Sequence, residues 1–149
     1  MDDTISLCSL RAGSSLFAVD TCRIREVLRN VEPQRVPRSP KFIAGVAPYR
    51  GEVLTTVSFR ALLGLEERPE SGCVLVFDQQ DGDLFGLMVD AVGSVFAISP
   101  SALEPPPAGL DARSRALFDG VCTMQQSLIV RLDPARLEPS RLAETGLFE

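Results

Sequence analysis

The side chains best suited to specific chemistry in this sequence are arginines concentrated in its first third. Five of them fall close together: Arg23, Arg25, Arg29, Arg35 and Arg38. A planar guanidinium can hold a carboxylate through two parallel hydrogen bonds. Residues 1–60 carry nine Lys/Arg against six Asp/Glu, whereas residues 61–149 carry six against fourteen. This uneven charge favours the attraction of an acidic protein partner; an ordinary solvated face is the alternative.

Catalysis finds little support in the sequence. The 149 residues include no histidine, which removes the commonest general base and zinc ligand, together with any Ser-His or Cys-His nucleophile pair. Neither common glycine-rich phosphate loop occurs. The densest carboxylates lack the spacing and closing Glu of a calcium loop and predict a solvated turn; they are Asp78, Asp81, Asp83 and Asp90. We therefore expect no enzyme activity, no metal and no cofactor.

Bulk properties restrict the partners and the compartment. The net charge of −5 argues against a nucleic-acid partner. The four cysteines show no Cys-x-x-Cys spacing and lie in or beside apolar runs, as small buried side chains do. No apolar stretch approaches the roughly 18 residues of a membrane span. We expect a protein of the reducing cytoplasm that does not insert into a membrane.

The elements that must position these side chains centre on residues 42–65. Two apolar runs flank Tyr49-Arg50-Gly51, a pattern that predicts two strands joined by a tight turn. Ser58 has the residue type of a helix N-cap, and Gly64 has that of a helix end. The stretch is thus predicted to form strand, turn, strand and a short helix over Phe59–Leu63.

The same order of residue types returns 75 residues later. Gly45-Val46 corresponds to Gly120-Val121, and the capping Ser58 corresponds to Asp133. Two diverged copies are too few for a solenoid, so two small packed barrels fit better. The polar link Glu66–Gly72 is the expected boundary. We predict a single domain, 1–149, with approximate subdomains 1–66 and 67–149, and exchange of strands between them stays open.

Weaker patterns predict the remaining elements. Ile24, Val27 and Leu28 follow helical spacing, so a short helix is predicted over Cys22–Leu28. A long strand is predicted over Leu84–Ile98, with Val89 and Val95 in the core. Asp111 and Asp133 are predicted to cap short helices. Other predicted elements are a hairpin of Ile5–Leu10 with Leu16–Val19, and a final helix or frayed tail over Ser140–Phe148.

Several linked segments resemble the CheW-like domain family of bacterial chemotaxis. Tyr49-Arg50-Gly51 stands where the family has an N-L-R-G turn, and Phe59–Leu65 resembles its D-L-R-x-L-L-G-L segment. Further matching segments are Phe17–Asp20, Ile24–Leu28, Val36–Val46, Gly86–Val92, Gly120-Val121 and Leu128–Val130. The resemblance covers about residues 5–138.

The resemblance implies a fold and a function. The implied fold is all-β with short helices: two SH3-like five-stranded β-barrel subdomains packed around a shared hydrophobic core. The implied function is a cytoplasmic scaffold of a two-component system, peripheral to membrane receptor arrays. It would couple the cytoplasmic tip of a chemoreceptor to the regulatory domain of a CheA-type histidine kinase. Pro48-Tyr49 and Ser58 depart from the family pattern, which leaves an alternative: an adaptor of a gliding or type IV pilus kinase pathway.

The resemblance also implies partner-binding residues. Arg50 matches a partner-facing arginine, although a turn arginine can be merely solvated. Glu26 matches a family position, but on the predicted helix it could instead pair with Arg23 or Arg29.

Five further positions complete the predicted partner-binding set. Ile24 and Val27 could dock a receptor helix or fill the core. Tyr49 is either an interface anchor or a ring that covers a barrel mouth. We expect Gly45 and Gly51 to be required mainly for the backbone conformation, with any role in binding secondary.

Overall fold

Ten strands form two five-stranded sheets in the computed structural model, which describes residues 3–67, 72–78 and 84–148. The first sheet has the order β8 (Ala91–Ile98), β1 (Ile5–Ala12), β2 (Ser15–Asp20), β10 (Ser127–Leu132) and β9 (Phe118–Met124). The second has the order β3 (Ile24–Val31), β6 (Gly72–Phe77), β7 (Phe85–Val89), β5 (Glu52–Ser58) and β4 (Ile43–Tyr49). The expectation of an all-β fold with short helices is confirmed, and the two five-stranded sheets fit an SH3-like fold.

The helices are short. They are α1 (Phe59–Leu62), α2 (Ala112–Leu117), α3 (Pro134–Leu137) and α4 (Pro139–Thr145), with 3₁₀ turns at Thr21–Arg23 and Pro100–Ala102. α1, α2 and α3 begin where the sequence predicts, and α4 begins at Pro139, one residue before the predicted Ser140. The Ser58 side chain accepts a hydrogen bond from the Ala61 N–H at 3.1 Å. Asp111 accepts one from the Ser114 N–H at 2.8 Å, which lowers the pKa of Asp111. None of the described helices is long and apolar enough to cross a membrane.

The internal repeat appears in the structure as two runs of five strands, β1–β5 and β6–β10. Each sheet takes strands from both runs: β1 and β2 pair with β8–β10, and β6 and β7 pair with β3–β5. The two parallel pairs are equivalent, since Phe17 of β2 faces Val130 and Phe85 of β7 faces Thr55. An isolated backbone bridge, Gln34–Val46, links the segment after β3 to β4, and another, Glu104–Val121, links the segment after β8 to β9. Each bridge thus brings the two ends of one sheet together.

The largest hydrophobic cluster draws buried side chains from both sheets. Phe17 of the first sheet meets Phe59, which follows the second sheet, at a ring-centroid distance of 4.7 Å and an interplanar angle of 76°. This is a favourable edge-to-face contact. Other members include Leu10, Val57, Leu75, Leu87, Phe118, Leu132 and Leu142. The prediction of a shared core is confirmed.

The predicted helix over Cys22–Leu28 is wrong. The chain makes a 3₁₀ turn at Thr21–Arg23 and continues as β3, which pairs antiparallel with β6. Register shifts between Ile24 and Glu26, and between Leu28 and Val31, interrupt the two-residue alternation. These irregularities leave apolar residues at helix-like spacing along a strand.

The predicted long strand over Leu84–Ile98 is also wrong, because it breaks at Asp90. β7 ends in the second sheet, and β8 begins in the first. The Asp90 carboxylate accepts a hydrogen bond from the Gly13 N–H at 2.8 Å and pairs with Arg60 at 2.7 Å. Val89 is buried as predicted, but Val95 is 63% exposed because β8 lies at the edge of its sheet.

The C-terminal segment is a docked helix. Gly146 directly follows α4, and its φ of 67° gives the left-handed conformation that commonly closes a helix. Two residues later, Phe148 returns to the shared core and is 4% exposed. The Arg113 guanidinium lies 5.2 Å from the centre of the Phe148 ring.

Gly45→Ala should destabilise the protein by about 2–4 kcal/mol. A Cβ at this position would lie 2.4 Å from the Gln34 carbonyl oxygen, which accepts the bridging hydrogen bond from the Val46 N–H. Gly64→Ala is the matched control, because Gly64 also has a positive φ (76°) but has no atom within 4 Å of that Cβ. We expect the control to lose about 1–2 kcal/mol. Urea denaturation of both variants measures the difference, and equal losses would contradict the close approach.

Phe148→Ala should cost about 3–5 kcal/mol, because it leaves a cavity in the shared core. Leu147→Ala is the control, since Leu147 is 37% exposed, and its loss should stay near 0.5 kcal/mol. Denaturant unfolding of the two variants measures both values. A small loss in Phe148→Ala would mean that the C-terminal segment does not stabilise the fold.

Candidate partner-binding site

The predicted turn at Arg50-Gly51 joins β4 to β5 directly. Tyr49 pairs with Glu52, and both turn residues have positive φ, 48° at Arg50 and 78° at Gly51. A two-residue turn with both φ values positive matches the right-handed twist of the flanking strands. Arg50 therefore stands at the tip of the hairpin, and its side chain is 64% exposed.

Arg50 forms an ion pair with Glu26 of β3. β3 and β4 lie at opposite ends of the second sheet, so this pair joins the two ends across a curled sheet. The hydrogen bond to Glu26 raises the pKa of Arg50. The alternative pairing of Glu26 with Arg23 or Arg29 depended on the predicted helix; in the structure, the ion pair of Glu26 is with Arg50.

The Tyr49 ring lies against two cationic side chains, those of Arg25 and Arg50. It is 4% exposed and belongs to a small core with Leu54 and Val74. The guanidinium of Arg50 lies 5.6 Å from the ring centre, and that of Arg25 lies 5.9 Å from it. Such contacts are typical cation–π geometry. Among the described residues, the buried phenol oxygen has no hydrogen bond of acceptable geometry.

The remaining predicted site residues lie behind this surface. Ile24 and Val27 are half-buried and pack against the shared core. Gly45 is buried beneath the Gln34 backbone, at the bridge that joins the two ends of the sheet. The structure therefore brings Glu26, Tyr49, Arg50 and Gly51 together at the hairpin tip. It places Ile24 and Val27 against the shared core and buries Gly45.

The sequence singled out Arg25 only as one of five clustered arginines, and it did not single out Val53 as a site residue. Arg25 joins the cluster because β3 is a strand, a placement that the helix prediction obscured. Val53 is 69% exposed and faces the exposed Pro48 across the hairpin, which gives the tip an apolar side. The sequence did contain a signal for the exposure of Val53. This residue lies only two positions after the Arg-Gly turn, and strands commonly extend beyond the core next to a turn. We call Arg25, Glu26, Tyr49, Arg50 and Val53 the hairpin-tip cluster.

The fold defines the class as a duplicated all-β protein in which two SH3-like sheets exchange strands. The chain belongs to the CheW-like domain family, whose sequence profile matches residues 6–140.

Curated relatives and a solved structure agree with this assignment. The chain is 28% identical to chemotaxis protein CheW of Rhizobium meliloti over 141 residues, which cover 94% of this chain and 91% of the relative. It is 32% identical to protein FrzA of Myxococcus xanthus over 109 residues, covering 72% and 68% of the two chains. Scaffolding protein TtCheW from Thermoanaerobacter tengcongensis shares the fold, with a TM-score of 0.78 at 24% identity over 89% of this chain and 90% of its own.

Tyr49→Phe should keep or slightly raise stability, by up to about 1 kcal/mol, because it removes a buried hydroxyl that makes no hydrogen bond of acceptable geometry to the described residues. Tyr49→Leu is the comparison variant: it should destabilise the protein, because the leucine cannot fill the space of the ring or support either guanidinium. Thermal unfolding of the two variants measures the difference. A clear loss of stability in Tyr49→Phe would show that the hydroxyl makes an internal hydrogen bond.

Proposed function

We propose that this chain is a non-catalytic cytoplasmic scaffold that couples chemoreceptor signalling tips to the regulatory domain of a CheA-type histidine kinase. The observation that carries the proposal is the Arg50–Glu26 pair on an exposed hairpin tip. Membership of the CheW-like domain family and the names of the chemotaxis relatives support it.

The hairpin-tip cluster is the proposed receptor contact. Its two guanidiniums are supported by one buried ring, so they lose little side-chain freedom when an acidic partner binds. Exposed Val53 offers an apolar contact beside them. This combination suits a receptor helix that presents carboxylates beside apolar residues. The half-buried Ile24 and Val27 would border the contact.

The second proposed partner is the kinase regulatory domain, which would bind away from the hairpin tip. A scaffold with two separate contacts can join a higher-order array in which repeated weak contacts give overall order. Neither a nucleic acid nor direct membrane insertion is part of the proposal.

A related role in another kinase pathway, for gliding or type IV pilus motility, is the second candidate. Pro48 favours it, because it alters the surface directly before Tyr49 at the proposed contact.

Arg50→Ala should weaken binding to the soluble receptor tip while binding to the kinase regulatory domain is retained. The melting temperature should stay within about 3 °C of wild type, as for a surface change. Isothermal titration calorimetry with each partner from the same organism measures the affinity for the receptor tip and the affinity for the kinase regulatory domain. Arg141→Ala is the control, because Arg141 is an exposed arginine on α4 outside the cluster.

The charge swap Glu26→Arg with Arg50→Glu separates an internal role from a partner contact. The swapped pair can form the same ion pair and should preserve folding. It should not bind the receptor tip, because the guanidinium has moved from the hairpin to β3. Full receptor binding by the swapped variant would overturn the assigned contact. Binding of wild type to neither partner would overturn the coupling function and favour the second pathway.

A further inference from the structure

A cavity lies apart from the hairpin tip and differs from it in chemical character. Its volume is about 490 Å³, within the range of small-molecule sites. Four segments distant in sequence supply its lining: the loop before β4, the end of α1, the start of α2 and the C-terminal segment. The lining residues are Arg35, Lys41, Ala61, Gly64, Leu65, Glu67, Arg113 and Phe148.

Three cations face this one cavity: Arg35, Lys41 and Arg113. None of them forms an ion pair with a residue in the described part of the chain. Among the described residues of the lining, the carboxylate is that of Glu67, which accepts a hydrogen bond from the Ser58 hydroxyl at 2.7 Å. The described lining residues therefore carry a formal excess of two positive charges in a protein whose net charge is −5.

The position of Arg113 is the best defined of the three. Its guanidinium lies over the buried Phe148 ring at 5.2 Å, and it donates a long hydrogen bond of 3.5 Å to the Leu62 carbonyl oxygen. These contacts leave other N–H groups of the fork free to donate. Leu65, 38% exposed, and Ala61 add apolar surface beside the charges.

We propose that this cavity binds a small organic anion that joins a phosphate group to an apolar ring. Cations gathered in a concave site attract such a group more strongly than cations spread over a flat surface. The planar forks of Arg35 and Arg113 suit phosphate oxygens, and Lys41 adds a compact charge. The apolar part of the ligand would lie against Leu65 and Ala61. No residue of the hairpin-tip cluster lines this cavity, so the inference is independent of the proposed function.

Titration with 1-naphthyl phosphate tests the site by protein NMR and calorimetry. The expected result is saturable binding, with shifts centred on Leu65, Arg113 and the loop before β4. Inorganic phosphate and uncharged 1-naphthol should each bind at least about tenfold more weakly, because each lacks one half of the recognised chemistry. Added salt should weaken the binding of naphthyl phosphate.

Substitutions that keep the fold make the test specific. Lys41→Gln and Arg113→Gln should each lower the affinity for 1-naphthyl phosphate about three- to tenfold, because each removes one charged partner of the phosphate. Arg115→Gln is the matched control, because Arg115 is exposed on the same helix, α2, but does not line the cavity. The affinity of this variant for 1-naphthyl phosphate should stay within about twofold of wild type. Melting curves check the fold of each variant.

Three results would overturn the proposal. One is the absence of saturable binding by a folded wild-type protein. Another is an equal affinity for 1-naphthol, which would show apolar binding without anion recognition. The third is an equal loss of affinity in Arg113→Gln and Arg115→Gln, which would show a general charge effect. The receptor and kinase titrations test the coupling function separately. The anion site and the coupling function can therefore each be disproved without affecting the other.

Discussion

The exchange of strands between the two sheets is the constraint on which the rest of this structure depends. Asp90 stands where the chain leaves the second sheet for the first. Its carboxylate pairs with Arg60 and accepts from the Gly13 N–H, and its own N–H donates to the Arg11 carbonyl. At the other crossing, Asp20 accepts two hydrogen bonds from Arg131 of β10, at 2.8 and 2.6 Å. Because each sheet needs strands from both runs, neither run can bury its apolar face alone.

The same constraint separates residues that build the core from residues that are free to bind. Curling of the second sheet brings β3 to the tip of the β4–β5 hairpin, and this creates the contact between Glu26 and Arg50. Exposed ion pairs contribute little to folding, so the pair is available for recognition. The cavity with three cations arises differently, where α1, α2 and the C-terminal segment meet beside the joined sheets. The two surfaces share no residue, so each can be altered without the other.

Much of the local structure could be predicted from the sequence, because it depends on short-range chemistry. Ser58 and Asp111 begin helices as predicted, since a side-chain oxygen near the chain can accept an otherwise unpaired N–H. The Arg50-Gly51 turn followed from its residue types and from the flanking apolar runs. The errors fell where tertiary pairing overrides local pattern: β3 carries helix-like apolar spacing, and the chain at Asp90 changes sheets. No local signal marks either event.

The resemblance to the CheW-like domain family implied the shared core, and the sequence by itself determined the all-β class and the duplication. These depend on apolar periodicity, caps, turns and repeated residue types, which act over a few neighbouring residues. Only the tertiary structure decided which strand joins which sheet, that Arg50 pairs with Glu26, and that Arg35, Lys41 and Arg113 face one cavity. Those contacts join residues far apart in the chain. Their energies depend on how two sheets curl and pack together, and no local stretch of sequence specifies that.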